Sequence, residues 1–217
     1  QGQDAYAAEA TWLHTFWNKG KLNIRFNYNN FSYDENNHYE NEQFTTGKII
    51  AQDNLNVNQD KNNYFFSTNV YYPFQNGYTF NIGYIGRIQN EDYKAKADNL
   101  TNGDWIPNLS KSTDFNFVRY INLGYASLQK TIVPFTIEIG MQAEHSKEEI
   151  NSPELNRKMN KNKVHIYPKA NLEYQVAENG IFSLGYQQRT NRPIASDLNP
   201  FIDRADITYI KHGNPNL

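Results

Sequence analysis

Apolar and polar side chains alternate with a period of two residues along most of this chain. In residues 21–30, KLNIRFNYNN, the apolar Leu22, Ile24, Phe26 and Tyr28 are separated by asparagine and arginine. The same alternation recurs in YTFNIGYIGR (78–87), PFTIEIGMQAE (134–144) and KVHIYPKANLEY (163–174). A period of two places successive side chains on opposite faces of a β-strand, and the sequence shows no helical stripe of comparable length. The pattern therefore predicts an all-β protein whose sheet has one apolar and one polar face.

The alternating segments predict about eight strands, most of them long. We place them at roughly 5–17, 21–33, 63–73, 78–91, 115–129, 132–147, 163–176 and 180–189, with a ninth near 205–212. A tilted strand needs about 9–11 residues to cross a bilayer, whereas strands of soluble proteins average about 5–6. The predicted lengths favour a membrane protein.

The connections between the predicted strands alternate between short and long. The short ones are NKGK, PFQNG, KT and AENG, and most contain the glycine or asparagine that tight turns favour. The long polar ones, 34–62, 93–114, 146–162 and the stretch after 189, are expected to be loops without regular structure. Outer-membrane barrels have short turns at one end and long loops at the other. The sequence thus predicts an antiparallel up-and-down meander, part of a transmembrane β-barrel, with its apolar face toward lipid and its polar face toward the lumen.

Composition narrows the class of protein further. Mean hydropathy is −0.82, yet 15% of residues are aromatic, with 16 Tyr and 13 Phe. A disordered chain would lack these rings, and a soluble globule would use more leucine, valine and alanine. The net charge of −2 provides no electrostatic footprint for nucleic acid. The absence of cysteine excludes disulfides and thiolate sites, and no apolar run approaches the roughly 18 residues of a membrane helix.

No group of residues predicts catalysis, a metal site or a cofactor. None of the 5 His has the spacing of zinc ligands, and no serine lies in a G-x-S-x-G context. Glu138 and Glu144 share one strand face and are a conceivable pair of glycosidase acids. In a barrel these carboxylates would instead face the lumen, where arginine, asparagine and water satisfy them. We therefore predict that the chain is not an enzyme.

Aromatic residues near the strand ends suggest two different roles. Trp12, Trp17, Tyr71 and Tyr72 flank short turns, as do the rings that form the interfacial girdles of membrane barrels. Trp105 lies in a long connection, where it is a candidate for solute contact or for packing of the loop itself.

The C-terminal stretch GYQQRTNRPIASDLNPFIDRADITYIKHGNPNL, residues 185–217, resembles the signature of TonB-dependent receptor barrels in the outer membrane protein beta-barrel family. The segments YYPFQNGYTFNIGYIGR, IGMQAEHS and VHIYPKANLEYQ resemble strands of the same family. The signature residues in this chain are Arg189, Asn191, Arg192, Pro193, Leu198, Asn199, Pro200, Phe201, Gly213, Asn214 and Pro215.

The residues of this signature suggest a structural loop. Proline fixes φ and removes a ladder donor, so Pro193 is expected to end the last strand. Arg189 and Arg192 are expected to hold the loop by binding carbonyl groups or the carboxylates of Asp197 and Asp203.

The resemblance implies an outer-membrane barrel of about 22 strands. It also implies an N-terminal plug, through which TonB drives nutrient uptake. Residues 1–217 would then be one partial domain, a sector of barrel wall truncated at both ends. Its expected partners are outer-membrane lipid, the remaining strands, the plug, TonB through that plug, and a small solute that the sequence does not identify.

Three other interpretations remain open from the sequence. Eight strands suffice to close a small outer-membrane barrel with a structural or adhesive role. A soluble β-sandwich that binds carbohydrate would instead bring the apolar faces of two sheets together. A membrane enzyme built on a small barrel is the third.

Overall fold

A computed structural model describes residues 2–152, 156–201 and 212–217. Within these ranges, nine antiparallel strands form one sheet with the order β1-β2-β3-β4-β6-β7-β8-β9, and β5 pairs with β4 beside this path. The elements are β1 (Gly2–Phe16), β2 (Gly20–Gln43), β3 (Lys48–Pro73), β4 (Tyr78–Thr101), β5 (Asp104–Pro107), β6 (Thr113–Ile132), β7 (Phe135–Ser152), β8 (Arg157–Ala177), β9 (Gly180–Gln187) and the single-turn helix α1 (Ala195–Leu198). The predicted all-β, up-and-down antiparallel meander is confirmed.

The sheet is open within the described part of the chain. Strand β1 pairs there only with β2, and β9 only with β8. A complete small barrel would require β1 to pair with β9, and a sandwich would require a second sheet; the described strands show neither arrangement. No helix within the described ranges is long and apolar enough to cross a membrane.

The prediction of long irregular loops is wrong for most of their length. Residues 34–62 continue β2 and β3 as a paired ladder that is closed by a turn at 44–47. Strand β4 likewise continues to Thr101, β7 to Ser152, and β8 already begins at Arg157. Backbone pairing does not need an apolar face, because each added rung still satisfies an N–H and a C=O group. The ninth strand predicted near 205–212 falls almost entirely outside the described residues, and His212 is not in a strand.

The outer face of the sheet changes from apolar to polar partway along the strands. We call the face that carries α1 the inner face and the opposite one the outer face. Near the short turns, the outer face of β4 exposes Ile82, Tyr84 and Ile88. Beyond Ile88 the same face continues with Asn90 and Asp92.

The inner face changes in the opposite direction. On β4 it presents Asn81 and Arg87 near the short turns, and then Tyr93, Ala95 and Ala97 farther along. The change from apolar to polar on the outer face occurs at one row of paired residues that crosses three strands. In this row Tyr64 of β3 pairs with Ile88 of β4, and Ile88 pairs with Tyr120 of β6. On β3 the apolar band runs from Tyr72 to Tyr64, about nine residues, which matches the length of a membrane-crossing strand.

A small core lies on the inner face, far from the short turns. Its buried members come from β6, β7 and α1, and Tyr93 and Met159 pack against it. These members are Phe115, Phe117, Ile150, Ala195 and Leu198. The core therefore sits where the outer face is already polar, as expected for a sheet surrounded by water at that height.

Candidate functional site

The family signature forms a segment that folds back onto the inner face. Strand β9 ends at Gln187, and residues 192–201, which we call the docked segment, place Ala195 and Leu198 in the inner-face core. Leu198 is 0% exposed. Of the signature residues, Arg189, Asn191 and Asn214 are exposed, whereas Arg192, Pro193, Asn199, Pro200, Phe201, Gly213 and Pro215 are partly buried. The strand ends before Pro193, so this proline lies inside the docked segment.

Arg119, on the inner face of β6, binds the docked segment. Its guanidinium donates from Nε to Glu148 Oε1 at 2.8 Å and from Nη2 to the carbonyl oxygen of Pro193 at 2.8 Å. Nη1 reaches Gln89 Oε1 at 3.4 Å, and the charge lies 4.9 Å from the ring centre of Phe117. Arg119 and Glu148 are both buried, so this pair interacts at low dielectric. We call this group the Arg119 clamp.

A second buried ion pair anchors the start of the segment. Arg192 contacts the carboxylate of Glu144 on β7, which is 4% exposed. Burial lowers the pKa of Arg192, and the nearby charges of Arg119 and Arg87 lower it further. Arginine stays charged in proteins even so, which leaves a cluster of positive charge on the inner face that Glu144 and Glu148 offset.

The partners of the signature arginines differ in part from the expectation. Arg192 pairs with a strand carboxylate, while Asp197 accepts from the backbone nitrogen of Ile194 at 3.1 Å. Arg189 donates to its neighbour Gln187 at 3.1 Å. Asp203 lies outside the described residues. The carbonyl oxygen of Pro193 is bound by Arg119, which the sequence did not single out, and not by the two arginines that were expected to bind carbonyl groups.

The two halves of the signature meet in space. Gly213 N donates to Asn199 O, and Asn214 N donates to Asp197 O, each at 2.7 Å. Asn199 also accepts from the backbone nitrogen of Phe201 at 3.0 Å. A Cβ atom at Gly213 would lie 2.5 Å from Asp197 O, so only glycine permits this approach.

The docked segment borders a cavity of about 600 Å³ on the inner face. We call it the inner-face cavity. Phe201 forms one wall, β2 supplies polar side chains, and β3 and β4 supply a small apolar floor. Residues that define it are Tyr33, Glu35, Asn37, Tyr39, Val57 and Ala97.

Trp105 does not line this cavity. It lies in β5 and makes an edge contact with His38, with ring centres 5.8 Å apart. At the short-turn end, Phe16 stacks on Tyr72, and Trp17 is largely exposed. Tyr71 lies one residue out of phase with Tyr72 and therefore belongs to the inner face.

Comparison with known families decides the assignment. The sequence profile of the outer membrane protein beta-barrel family matches residues 14–217. The chain belongs to this family. No curated protein matches its sequence. The resemblance seen in the sequence and the outer-membrane location are confirmed by this match and by the fold.

Solved outer-membrane proteins share the fold of this family member. The ferric citrate transporter FecA in the unliganded form aligns with a TM-score of 0.59 at 15% identity, covering 81% of this chain and 26% of FecA. The ferric yersiniabactin uptake receptor FyuA from Yersinia pestis gives 0.53 at 11% identity, with 81% and 26% covered. The alcaligin outer membrane receptor FauA from Bordetella pertussis gives 0.52 at 14% identity, with 85% and 28% covered. The chain thus spans about a quarter of each of these proteins.

Family membership assigns the two faces of the sheet. The outer-face band between Tyr72 and Tyr64 faces lipid, because an outer-membrane barrel carries its apolar band outward. The strands beyond the Tyr64–Ile88–Tyr120 row extend past the membrane, where water solvates the outer face. The Arg119 clamp, the docked segment and the inner-face cavity all lie in or above that level on the side of the lumen.

Proposed function

We propose that this chain forms one sector of the wall of a larger TonB-dependent transport barrel and serves in the uptake of a nutrient. The observation that carries the proposal is the exchange of polarity between the two faces. A lipid-facing apolar band on the outside coincides with a polar inner face, which is the arrangement of a wall around an aqueous passage. The open sheet and the share of about a quarter of each solved relative support one sector of a larger barrel.

The polar inner face between the short turns and the Arg119 clamp is proposed to face a plug. Arg25, Asn27, Asn63 and Arg87 line a hollow there that the docked segment leaves uncovered. Amide and guanidinium groups of this kind match the backbone and carboxylate groups of a folded plug. Through that plug TonB would supply the energy for uptake.

We assign no catalytic role to the inner-face carboxylates. Glu138 binds Lys169 at 2.8 Å, Glu144 pairs with Arg192, and Glu148 pairs with Arg119. Each of these acids is already neutralised by a cation. The solved relatives are described as transporters and receptors, which favours transport as well.

Uptake experiments with the complete protein in its host test this proposal. Accumulation of ferric citrate, of short neutral oligosaccharides and of dipeptides is compared between the parent strain, a deletion of the gene and a deletion of TonB. We expect at least one solute to require both the gene and TonB, and expression of the gene from a plasmid to restore its uptake. Unchanged uptake of every solute after gene deletion, or uptake independent of TonB, would overturn the proposal.

A further inference from the structure

The inner-face cavity is shaped by strands that extend beyond the membrane. Tyr33, Glu35, Asn37 and Tyr39 lie in line at every second position of β2, a distance of about 20 Å from first to last. Opposite them, Leu55, Val57, Ala95 and Ala97 form an apolar floor, and the two alanines are each 2% exposed. The cavity is therefore elongated, with a polar wall and a flat apolar base.

Hydrogen bonds fix the side chains of the polar wall before any solute arrives. Tyr33 Oη donates to Glu35 Oε2 at 2.5 Å, and Asn37 Nδ2 donates to Glu35 Oε1 at 2.9 Å and to Tyr39 Oη at 3.0 Å. The bond to Glu35 raises the pKa of Tyr33, so its phenol stays protonated. A wall that is already ordered lowers the entropy cost of binding.

The charges in the cavity are already engaged. Its charged residues are Glu35, Asp53 and Lys111, and Lys111 Nζ lies 2.6 Å from Asp53 Oδ2. Both oxygens of Glu35 accept hydrogen bonds from the cavity wall. Lys111 is therefore not available to an anionic solute, and the oxygens of Glu35 are held by the side chains of the wall.

What the cavity offers instead are amides, phenols and ring faces. Asn41 carries both a donor and an acceptor group, whereas Asn37 and Gln59, whose amide nitrogens already donate to Glu35, Tyr39 and Glu91, present their carbonyl oxygens as acceptors. Tyr39 and Phe201 add aromatic rings. A sugar ring presents hydroxyls that both donate and accept at its edge, and C–H groups on its faces that pack against aromatic or apolar surface.

We propose that the inner-face cavity binds a short neutral oligosaccharide. This inference rests on the proposed function and names the class of solute that the chain takes up. Hydroxyl groups bind along the wall from Tyr33 to Tyr39, and one sugar face packs against the ring of Tyr39, which is 38% exposed, above the buried floor formed by Val57 and Ala97. Phe201 closes the end of the cavity, which gives the docked segment a part in binding.

Binding measurements on the complete protein in detergent micelles test the proposal. The neutral probes are maltohexaose, laminarihexaose, xylohexaose and chitohexaose, and the charged probes are ferric citrate and tetralysine. Calorimetric titration is carried out on the native protein and on Asn37→Leu and Tyr39→Ala. Asn36→Leu is the matched control, because Asn36 occupies the outer face of the same strand. Resistance to unfolding on a heated gel confirms that each variant remains a barrel.

We expect at least one neutral probe to bind, with an affinity that falls at least tenfold in Asn37→Leu and in Tyr39→Ala. Asn36→Leu should remain within twofold of the native protein. The proposal is overturned if no neutral probe binds, if the cavity variants bind as well as the control, or if only a charged probe shows sensitivity to Asn37.

The outcomes separate this inference from the proposed function. TonB-dependent uptake of a charged solute, without oligosaccharide binding, would overturn the inference and leave the transport function in place. Oligosaccharide binding that is sensitive to Asn37, together with uptake that does not need TonB, would support the binding site and overturn the TonB-dependent transport function.

Discussion

Replacing Arg119 by methionine tests how the family signature is held on the inner face. The side chains of Arg119 and Glu148 are only 6% and 10% exposed, so the values for buried ion pairs apply to them. Removing one partner of such a pair costs about 3–5 kcal/mol, since the remaining charge stays buried. Arg119→Met should therefore lower the global free energy of unfolding by about that amount.

The free energy that holds the docked segment on the inner face should fall by less than the global free energy of unfolding. Among the described residues, one hydrogen bond joins Arg119 to this segment, from Nη2 to the carbonyl oxygen of Pro193. A hydrogen bond from a charged donor contributes about 1.5–3 kcal/mol, which corresponds to a roughly 10- to 150-fold rise in local opening. The sequence contains no cysteine, so Ala195→Cys provides a single buried probe whose maleimide labelling requires the segment to lift.

The double variant Arg119→Met/Glu148→Met separates the two effects. Removing both charges should restore most of the global stability, because a buried ion pair and an apolar pair are often nearly equivalent. It does not restore the bond to Pro193, so labelling should stay fast. Arg25→Met is the control: its pair with Glu9 is half-exposed and remote from the docked segment, so its loss should leave the labelling rate unchanged. Labelling of Arg119→Met within twofold of the parent would refute this account of the clamp.

Three further changes test the membrane boundary, the strand extension and the meeting of the signature halves. Ile139→Lys places a charge on the exposed outer band of β7 and should lower the free energy of unfolding by about 2–4 kcal/mol. Guanidinium unfolding of the protein in lipid vesicles measures this loss. Gln142→Lys, on the inner face of the same strand, is the control and should change the free energy of unfolding little. The His38 ring donates a hydrogen bond to Asn54 Oδ1, which raises the pKa of His38 above its ordinary 6.5, and Glu40 raises it further. The contribution of this group to stability is therefore complete below pH 6.5 and is lost as pH rises through the folded value. The fluorescence difference between native protein and Trp105→Phe should change in that higher range, and a midpoint at or below 6.5 would contradict this. Gly213→Ala should speed labelling in the same cysteine assay, because its Cβ meets the carbonyl oxygen of Asp197. Unchanged labelling would show that the contact between the two signature halves does not help to hold the docked segment.

The sequence predicted the strands well where lipid and water contact opposite faces. Between Tyr64 and Tyr72 every even-numbered position but Thr68 is apolar or aromatic, which places these side chains on the outer face, although Phe65 and Tyr71 lie on the inner face. Farther up β3, Leu55 and Val57 are apolar in the opposite phase and belong to the inner face. Without knowledge of the membrane boundary, this reversal looks like loss of periodicity. The same reversal explains why the upper halves of the strands were expected to be loops.

The candidate site was predictable only in part. The tight hairpin between Ile132 and Phe135 fixes the register of β6 and β7, and that register places Arg119 opposite Glu148. Sequence reasoning of this kind could have found the ion pair. It could not have found the bond to Pro193, because the path of the docked segment depends on the burial of Leu198 in a core assembled from distant strands.

The docked segment and the inner-face cavity depend on each other, and the fraction of molecules in which the segment is docked determines how strongly a solute binds. Phe201 forms a cavity wall at the end of the segment that Arg119 holds at Pro193. If a solute binds only when Phe201 is in place, the apparent dissociation constant is the intrinsic one divided by the docked fraction. While the segment is docked in nearly all molecules, even a tenfold rise in opening leaves that fraction close to one. Arg119→Met should thus accelerate labelling well before it weakens binding. A variant that releases the segment in most molecules, such as one combining Arg119→Met with Gly213→Ala, should both accelerate labelling and weaken binding.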